Sequence, residues 1–284
     1  MIIHAPAKIN LHLHITGRRD DGFHKLDSLV AFTNFSDEIS IRENPSYRLN
    51  ILNSSECPID DNLITRAVKL LTQHFDIKPN INIDLKKSIP MGAGLGGGSS
   101  DAAAVLIALR DFWKLDAPDD LLKKFASELG SDVVACLHNK PLIMRDTGNA
   151  LLPAPKFPTL YGVLVVPKTP CSTPLVYKKY MELNSGFSQN VEFPNSFDTV
   201  FSLCAFLNKH TRNDLTKAAI AINPDVGIIL NKLKNLEDNL LTRLTGSGSG
   251  CYTLTATEDL AIKSSNALQK FFPDWFVKHI RIND

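Results

Sequence analysis

No apolar run in this 284-residue sequence reaches the length of a membrane-spanning helix, which excludes a helical membrane protein. An excess of either charge is also missing. The 31 Lys and Arg stand against 30 Asp and Glu, a formal net charge of +1, so there is no basic field for nucleic acid and no acidic tail. Cysteine is sparse. Cys57, Cys136, Cys171, Cys204 and Cys251 are scattered, odd in number and never in Cys-x-x-Cys spacing. Reduced, mostly buried thiols are therefore expected, and a structural zinc site is not. No signal peptide precedes Met1-Ile2-Ile3-His4-Ala5-Pro6, so the expectation is a soluble, cytoplasmic protein. Internal repeats and low-complexity segments are lacking as well. What remains is an ordinary globular composition, 44% hydrophobic and 21% charged, in a chain long enough for one large or two modest domains.

The most informative stretch is Pro90-Met91-Gly92-Ala93-Gly94-Leu95-Gly96-Gly97-Gly98-Ser99-Ser100. Before it, Ile81, Ile83 and Leu85 alternate as in a half-buried strand. After it, Asp101 to Trp113 is rich in Ala and Leu at helical spacing, with Ser99 or Ser100 in the N-cap position. Glycine between a strand and a helix lets the backbone approach a ligand closely, and the helix start offers unpaired N–H groups. Together they predict a phosphate cradle. It is not a P-loop, because no lysine follows the glycines. Nor is it a dinucleotide fingerprint, because Asp119 and Asp120 open another helix where an acidic strand end would be needed.

Upstream, Ala7 to Ile15 alternates strictly, with Lys8, Asn10, His12 and His14 on the polar face. Such a face is ordinarily solvated. Strands are also expected at Ser28–Thr33, Glu38–Arg42 and Tyr47–Leu52, then a helix over Asp61–Leu71 capped by Asp60 or Asp61. Strands followed by helices without regular βαβ alternation indicate an α+β protein. Pro118–Leu129 reads as a helix ended by Gly130, and Ser131 can cap a short helix with Asp132 in its first turn. On local sequence alone Asp132 is a capping residue, His24 a surface loop histidine and Tyr177 a core tyrosine. The proline-rich run Leu151–Pro158 is the expected boundary between domains 1–152 and 153–284. Beyond it, Tyr161–Val166 reads as a strand. Thr173 caps a helix with Pro174 at its first position, Asn213-Asp214-Leu215 caps another, and Leu244–Tyr252 is a second glycine-rich loop.

The Pro90-x-x-x-Gly94-Leu95-Gly96 run resembles the signature of the GHMP kinases, named for galactose, homoserine, mevalonate and phosphomevalonate. Three glycines followed by Ser99-Ser100 resemble the branch that phosphorylates diphosphocytidyl-methylerythritol. Pro6-Ala7-Lys8-Ile9-Asn10-Leu11, then Asp21-Gly22-Phe23-His24, resembles the opening of that branch, and Leu244–Tyr252 resembles the third GHMP motif. Gly130-Ser131-Asp132-Val133-Val134 is similar to its Gly-Ala-Asp-Val-Pro motif, with Val134 in place of proline. Arg145–Asn149 departs from its Gly-x-Gly-Glu run.

The resemblance implies a two-domain GHMP kinase fold with the active site in the cleft between the domains. It implies Lys8 and Asp132 as catalytic residues and ATP with Mg²⁺ as cofactors. The nucleotide phosphates would lie on Pro90 to Ser100, with Ser99 or Ser100 within reach of the metal, whose ligands are otherwise unassigned. Phe23, His24 and Tyr177 would form a cytosine pocket, with Asn10, Thr173, Gly246, Ser247 and Gly248 also on the substrate side. The implied acceptor is 4-diphosphocytidyl-2-C-methyl-D-erythritol, phosphorylated at its 2-hydroxyl in the non-mevalonate route to isoprenoid precursors. Neither nucleic acid nor membrane is an expected partner, and a monomer or weak homodimer is expected. A mevalonate- or homoserine-type kinase is the nearest rival, although those acceptors carry no base to stack. A non-catalytic sensor of nucleotide or sugar is the rival of another class.

Overall fold

A computed structural model describes residues 1–53 and 62–283. Cys57 and the expected caps Asp60 and Asp61 lie outside the described residues. In the first part of the chain the elements are β1 (Ile2–Asn10), β2 (His14–Arg18), β3 (His24–Glu43), β4 (Arg48–Ile51), α1 (Leu63–Phe75) and β5 (Ile81–Lys86). Next come α2 (Gly97–Phe112), α3 (Asp119–Leu129), α4 (Ser131–His138), β6 (Leu142–Asp146), β7 (Ala150–Pro153) and β8 (Leu160–Val166). The remainder is α5 (Thr173–Glu182), α6 (Val200–His210), α7 (Thr216–Ile222), α8 (Asp225–Lys234), β9 (Leu241–Leu244), β10 (Cys251–Thr255), α9 (Glu258–Phe271) and β11 (Phe276–Ile282). The α+β expectation holds.

The chain packs as two compact units, each assembled from separated segments. The first comprises Met1–Lys8, Phe35–Ile89 and Gly96–Asn139; the second comprises Ile9–Asn34, Pro90–Leu95 and Lys140–Asp284. The expected boundary at Leu152 and Pro153 does not coincide with this division. Leu151 and Leu152 instead pair with Met144 and Ile143, making the start of the proline-rich run a strand beside β6. A long β3 explains the interleaving. Its N-terminal part pairs with β2 and β6, while Glu38–Glu43 pairs with β5.

In the first unit β5 lies between β3 (antiparallel) and β4 (parallel). Ile39, Ile41, Ile81, Ile83 and Leu85 are buried there. Helices α1 to α4 pack on one another through Ile64, Val68, Leu71, Leu106, Leu109 and Phe125, the apolar stripes that their 3.6-residue period displays. Asn62, not an aspartate, caps α1 by accepting from the Ile64 amide at 2.9 Å.

In the second unit β8 is central between β10 and β11, and β9 flanks β10. Val163, Val165, Val176, Leu215, Ile229, Leu244 and Leu268 share one buried cluster. Instead of a single strand over Ala7–Ile15, β1 ends at Asn10 and β2 starts at His14. Lys8, Asn10, His12 and His14 are all buried, so the polar side of this stretch is packed rather than solvated.

Candidate active site

The first unit holds both Lys8 and Asp132. At its N-terminus α2 is capped by Gly96 at φ +64°, a left-handed conformation that glycine adopts without strain. Ser99 and Ser100 are therefore inside the first turn, not at the cap. The Gly97, Gly98 and Ser99 amides have no partner within the helix, and the Ser100 amide donates to the Gly96 carbonyl at 2.8 Å. Lys8 runs along this turn, and a Cβ on Gly96 would come within 2.7 Å of Lys8 Cγ. Lys8 Nζ lies 3.4 Å from Asp132 Oδ2, with side-chain exposures of 7% and 40%. The lysine is thus packed in place while the carboxylate remains accessible. Asp132 stands in the first turn of α4, as expected, but Gly130 is the cap there and Ser131 the first helical residue. The α-helix runs on through Val134, so valine in place of proline does not break it.

Beneath the start of α2, Lys87 at the end of β5 donates to Asp37 and, at 2.8 Å, to Asp101. Asp37 also accepts from the Ser88 and Ile89 amides at 2.5 and 2.8 Å. Asp101 Oδ1 is buried and has no hydrogen-bond partner. Burial pushes the Asp101 carboxyl up to about 7, with Asp37 adding to the shift and Lys87 opposing it.

In the second unit two glycine loops meet backbone to backbone. The Ser249 and Gly250 amides donate to the Gly92 and Ala93 carbonyls at 3.2 and 3.0 Å. Thr245 Oγ1 donates to the Gly94 carbonyl at 3.2 Å. A Cβ on Gly94 would stand 2.2 Å from the Thr245 carbonyl oxygen, so the approach requires glycine. Asn10 is fully engaged here. Its Oδ1 accepts from the Gly246 amide (2.9 Å), its Nδ2 donates to Ser28 (2.8 Å), and its own amide donates to Thr245 Oγ1 (3.1 Å). Thr173 and Ser247 hydroxyls are 2.8 Å apart, which brings those two expected residues together. Thr173 is the first residue of α5, however, and its cap is Ser172. Asn213 caps locally, accepting from the Leu215 amide, and also donates to the Leu244 and Gly246 carbonyls at 2.9 and 2.8 Å.

His24 and Tyr177 come together as expected, with ring centroids 5.0 Å apart at 39°. Tyr180 lies edge-on to His24 at 6.3 Å and donates to the Gly186 carbonyl. Phe23 is 67% exposed on the turn before β3. His24 Nε2 is buried without a partner, and burial with the nearby Arg18 charge lowers the His24 pKa, so the neutral imidazole is favoured.

Sequence reasoning missed a buried network behind this region. His12 Nδ1 accepts from the Leu29 amide, which places the proton on Nε2 facing Asp27 at 3.2 Å. Asp27 also accepts from Arg145 Nε (2.8 Å) and the Val191 amide (2.7 Å). The available signal was an aspartate two residues before the apolar run Leu29–Phe32, since a buried carboxylate needs partners.

This chain is a GHMP kinase. The family of GHMP kinases N terminal domains matches residues 62–140, and that of GHMP kinases C terminal domains matches 199–274. A crystal structure of mevalonate kinase shares the fold, with a TM-score of 0.71 over 100% of both chains at 14% identity. A crystal structure of 4-(cytidine 5'-diphospho)-2C-methyl-D-erythritol kinase superposes with a TM-score of 0.82 at 28% identity, again over 100% of both chains. A 4-diphosphocytidyl-2-C-methyl-D-erythritol kinase of Caulobacter sp. (strain K31) is 37% identical over 98% of this chain and 97% of its own length. That of Mesorhizobium japonicum is 39% identical over 98% and 94%. The chain belongs to the 4-diphosphocytidyl-2-C-methyl-D-erythritol kinase family. Among the described residues no helix is long and apolar enough to cross a membrane.

Proposed function

We propose that the chain transfers the γ-phosphoryl group of ATP to the 2-hydroxyl of 4-diphosphocytidyl-2-C-methyl-D-erythritol, releasing ADP. The observation that carries this reading is the Lys8–Asp132 pair beside the glycine-capped start of α2. Phosphoryl transfer asks a protein mainly for positioning and charge stabilisation. The first-turn amides of Gly97, Gly98 and Ser99 hold phosphate oxygens at the positive end of the helix dipole. Asp132 accepts the proton of the attacking hydroxyl. Lys8 stabilises negative charge at the reacting oxygen.

The half-buried Ser99 hydroxyl, in the first turn of α2, suits Mg²⁺, a hard cation that takes one or two protein oxygens beside those of the phosphates. When bound, Mg²⁺ neutralises charge on the phosphates. At the other end of the acceptor, Tyr177 packs the cytosine face and the unpartnered His24 Nε2 reads its edge. The product formed from MgATP and this acceptor should carry its new phosphate on the 2-oxygen, seen as carbon–phosphorus coupling in NMR. Phosphate on another hydroxyl would contradict the assignment.

A further inference from the structure

Arg243 is a buried cation without a carboxylate. It is 7% exposed on β9, and its Nη1 is buried with no hydrogen-bond partner. Burial lowers its pKa; Tyr252, Cys204 and His12 interact with its charge, and none of them is an anion at neutral pH. The bond from Nη2 to the Leu207 carbonyl (2.6 Å) does not account for the residue, because Thr211 also donates to that carbonyl from its hydroxyl (2.6 Å) and its amide (3.0 Å). Holding a guanidinium out of water is unfavourable unless an anion compensates it.

Beside Arg243 lies an open cavity of about 650 Å³ within the second unit. Lys234 lines it as a second cation, and among the described residues no Asp or Glu does. Arg212 also lines it but is already held by Asp214 at 2.6 Å. The rest of the wall mixes Leu230, Leu240 and Leu244 with neutral polar residues that include Asn208, Asn231 and Thr242. None of the residues assigned above to the phosphates, the acceptor or catalysis takes part in it.

We propose that this cavity is a second ligand site, for a small phosphorylated polyol whose phosphate is held by Arg243 and Lys234. The asparagine and threonine wall supplies donors and acceptors for its hydroxyls. The volume is that of an ordinary small-molecule site.

The test is calorimetric titration with glycerol 3-phosphate and with inorganic phosphate, in saturating ADP so that the start of α2 is filled, with neutral glycerol as the control. Both phosphates should bind and glycerol should not. Arg243→Met should weaken glycerol 3-phosphate by about tenfold or more, the effect of one charge-assisted hydrogen bond. Lys234→Ala, at an exposed position, should weaken it about twofold to fivefold. Asn231→Asp places a carboxylate on the exposed wall, needs no buried substitution, and should also abolish or weaken binding; it decides the matter if Arg243→Met fails to fold. Wild-type affinity in Asn231→Asp and Lys234→Ala, or no binding by the unmodified protein, would overturn the site.

Discussion

In the proposed mechanism Lys8 and Asp132 have different parts, which accord with their exposures. Lys8 is held by packing along Gly96, whereas the Asp132 carboxylate is 40% exposed and can take up a proton from a bound hydroxyl. Asp132→Asn preserves shape and removes the base, so turnover should fall about a hundredfold to ten-thousandfold while the Michaelis constants change much less. Steady-state kinetics with both substrates varied would show it, and near-normal turnover would reduce Asp132 to a capping residue.

Asp101 makes a different prediction. Its pKa is raised from 3.8 to about 7 in the folded protein. The folded state therefore holds this proton more tightly than the unfolded chain does. The associated stability is present below the unfolded pKa and lost as pH rises through about 7. Asp101→Asn should flatten that decline, read as urea midpoints across this pH range; an unchanged slope would contradict it. Resemblance of two short signatures to family motifs pointed to Lys8 and Asp132, which stand 3.4 Å apart. The His12–Asp27–Arg145 network was not legible in the sequence, since Asp27 draws on partners 15, 118 and 164 residues away in sequence.

Helix α2 is where local rules and the structure part most usefully. Serine is the commoner N-cap, yet Gly96 takes the position and the serines move into the first turn. The amphipathic helices α1 and α3 were visible from their periodicity, whereas the cap depended on a left-handed glycine that composition cannot locate. The same geometry shows which glycine can be altered without disturbing the fold. A side chain on Gly96 strikes the Lys8 stem, and one on Gly94 strikes a backbone carbonyl. On Gly98 a Cβ would meet only Leu63 Cδ1, at 3.9 Å. Gly98→Asp should leave stability unchanged or raise it by about 0.3–1 kcal/mol, because an acidic group suits a helix start. It should also weaken ATP about tenfold or more by repelling the phosphates. Paired melting and nucleotide-binding measurements test both signs; loss of stability with unchanged ATP affinity would refute the phosphate cradle.

Over the whole molecule, most elements of the first part of the chain were readable, but helices such as α6 and α8 and the grouping into packed units were not. A boundary drawn from the proline-rich run assumes that sequence neighbours pack together. Here β3 is long enough to serve two sets of strands, and the glycine stretch contributes Pro90–Leu95 to one unit and Gly96 onward to the other. In the proposed reading the acceptor's base falls to His24 and Tyr177, and its reacting hydroxyl to Lys8 and Asp132. Energy from binding the base should then help turnover as well as affinity. Tyr177→Ala should weaken the acceptor by about 1–3 kcal/mol and spare ATP. The most direct test of the account is the rate of ADP formation from MgATP with each of four acceptors: 4-diphosphocytidyl-2-C-methyl-D-erythritol, free methylerythritol, mevalonate and homoserine. The diphosphocytidyl compound should have by far the highest kcat/KM. Faster phosphorylation of mevalonate or homoserine would leave a kinase but contradict the base-reading site.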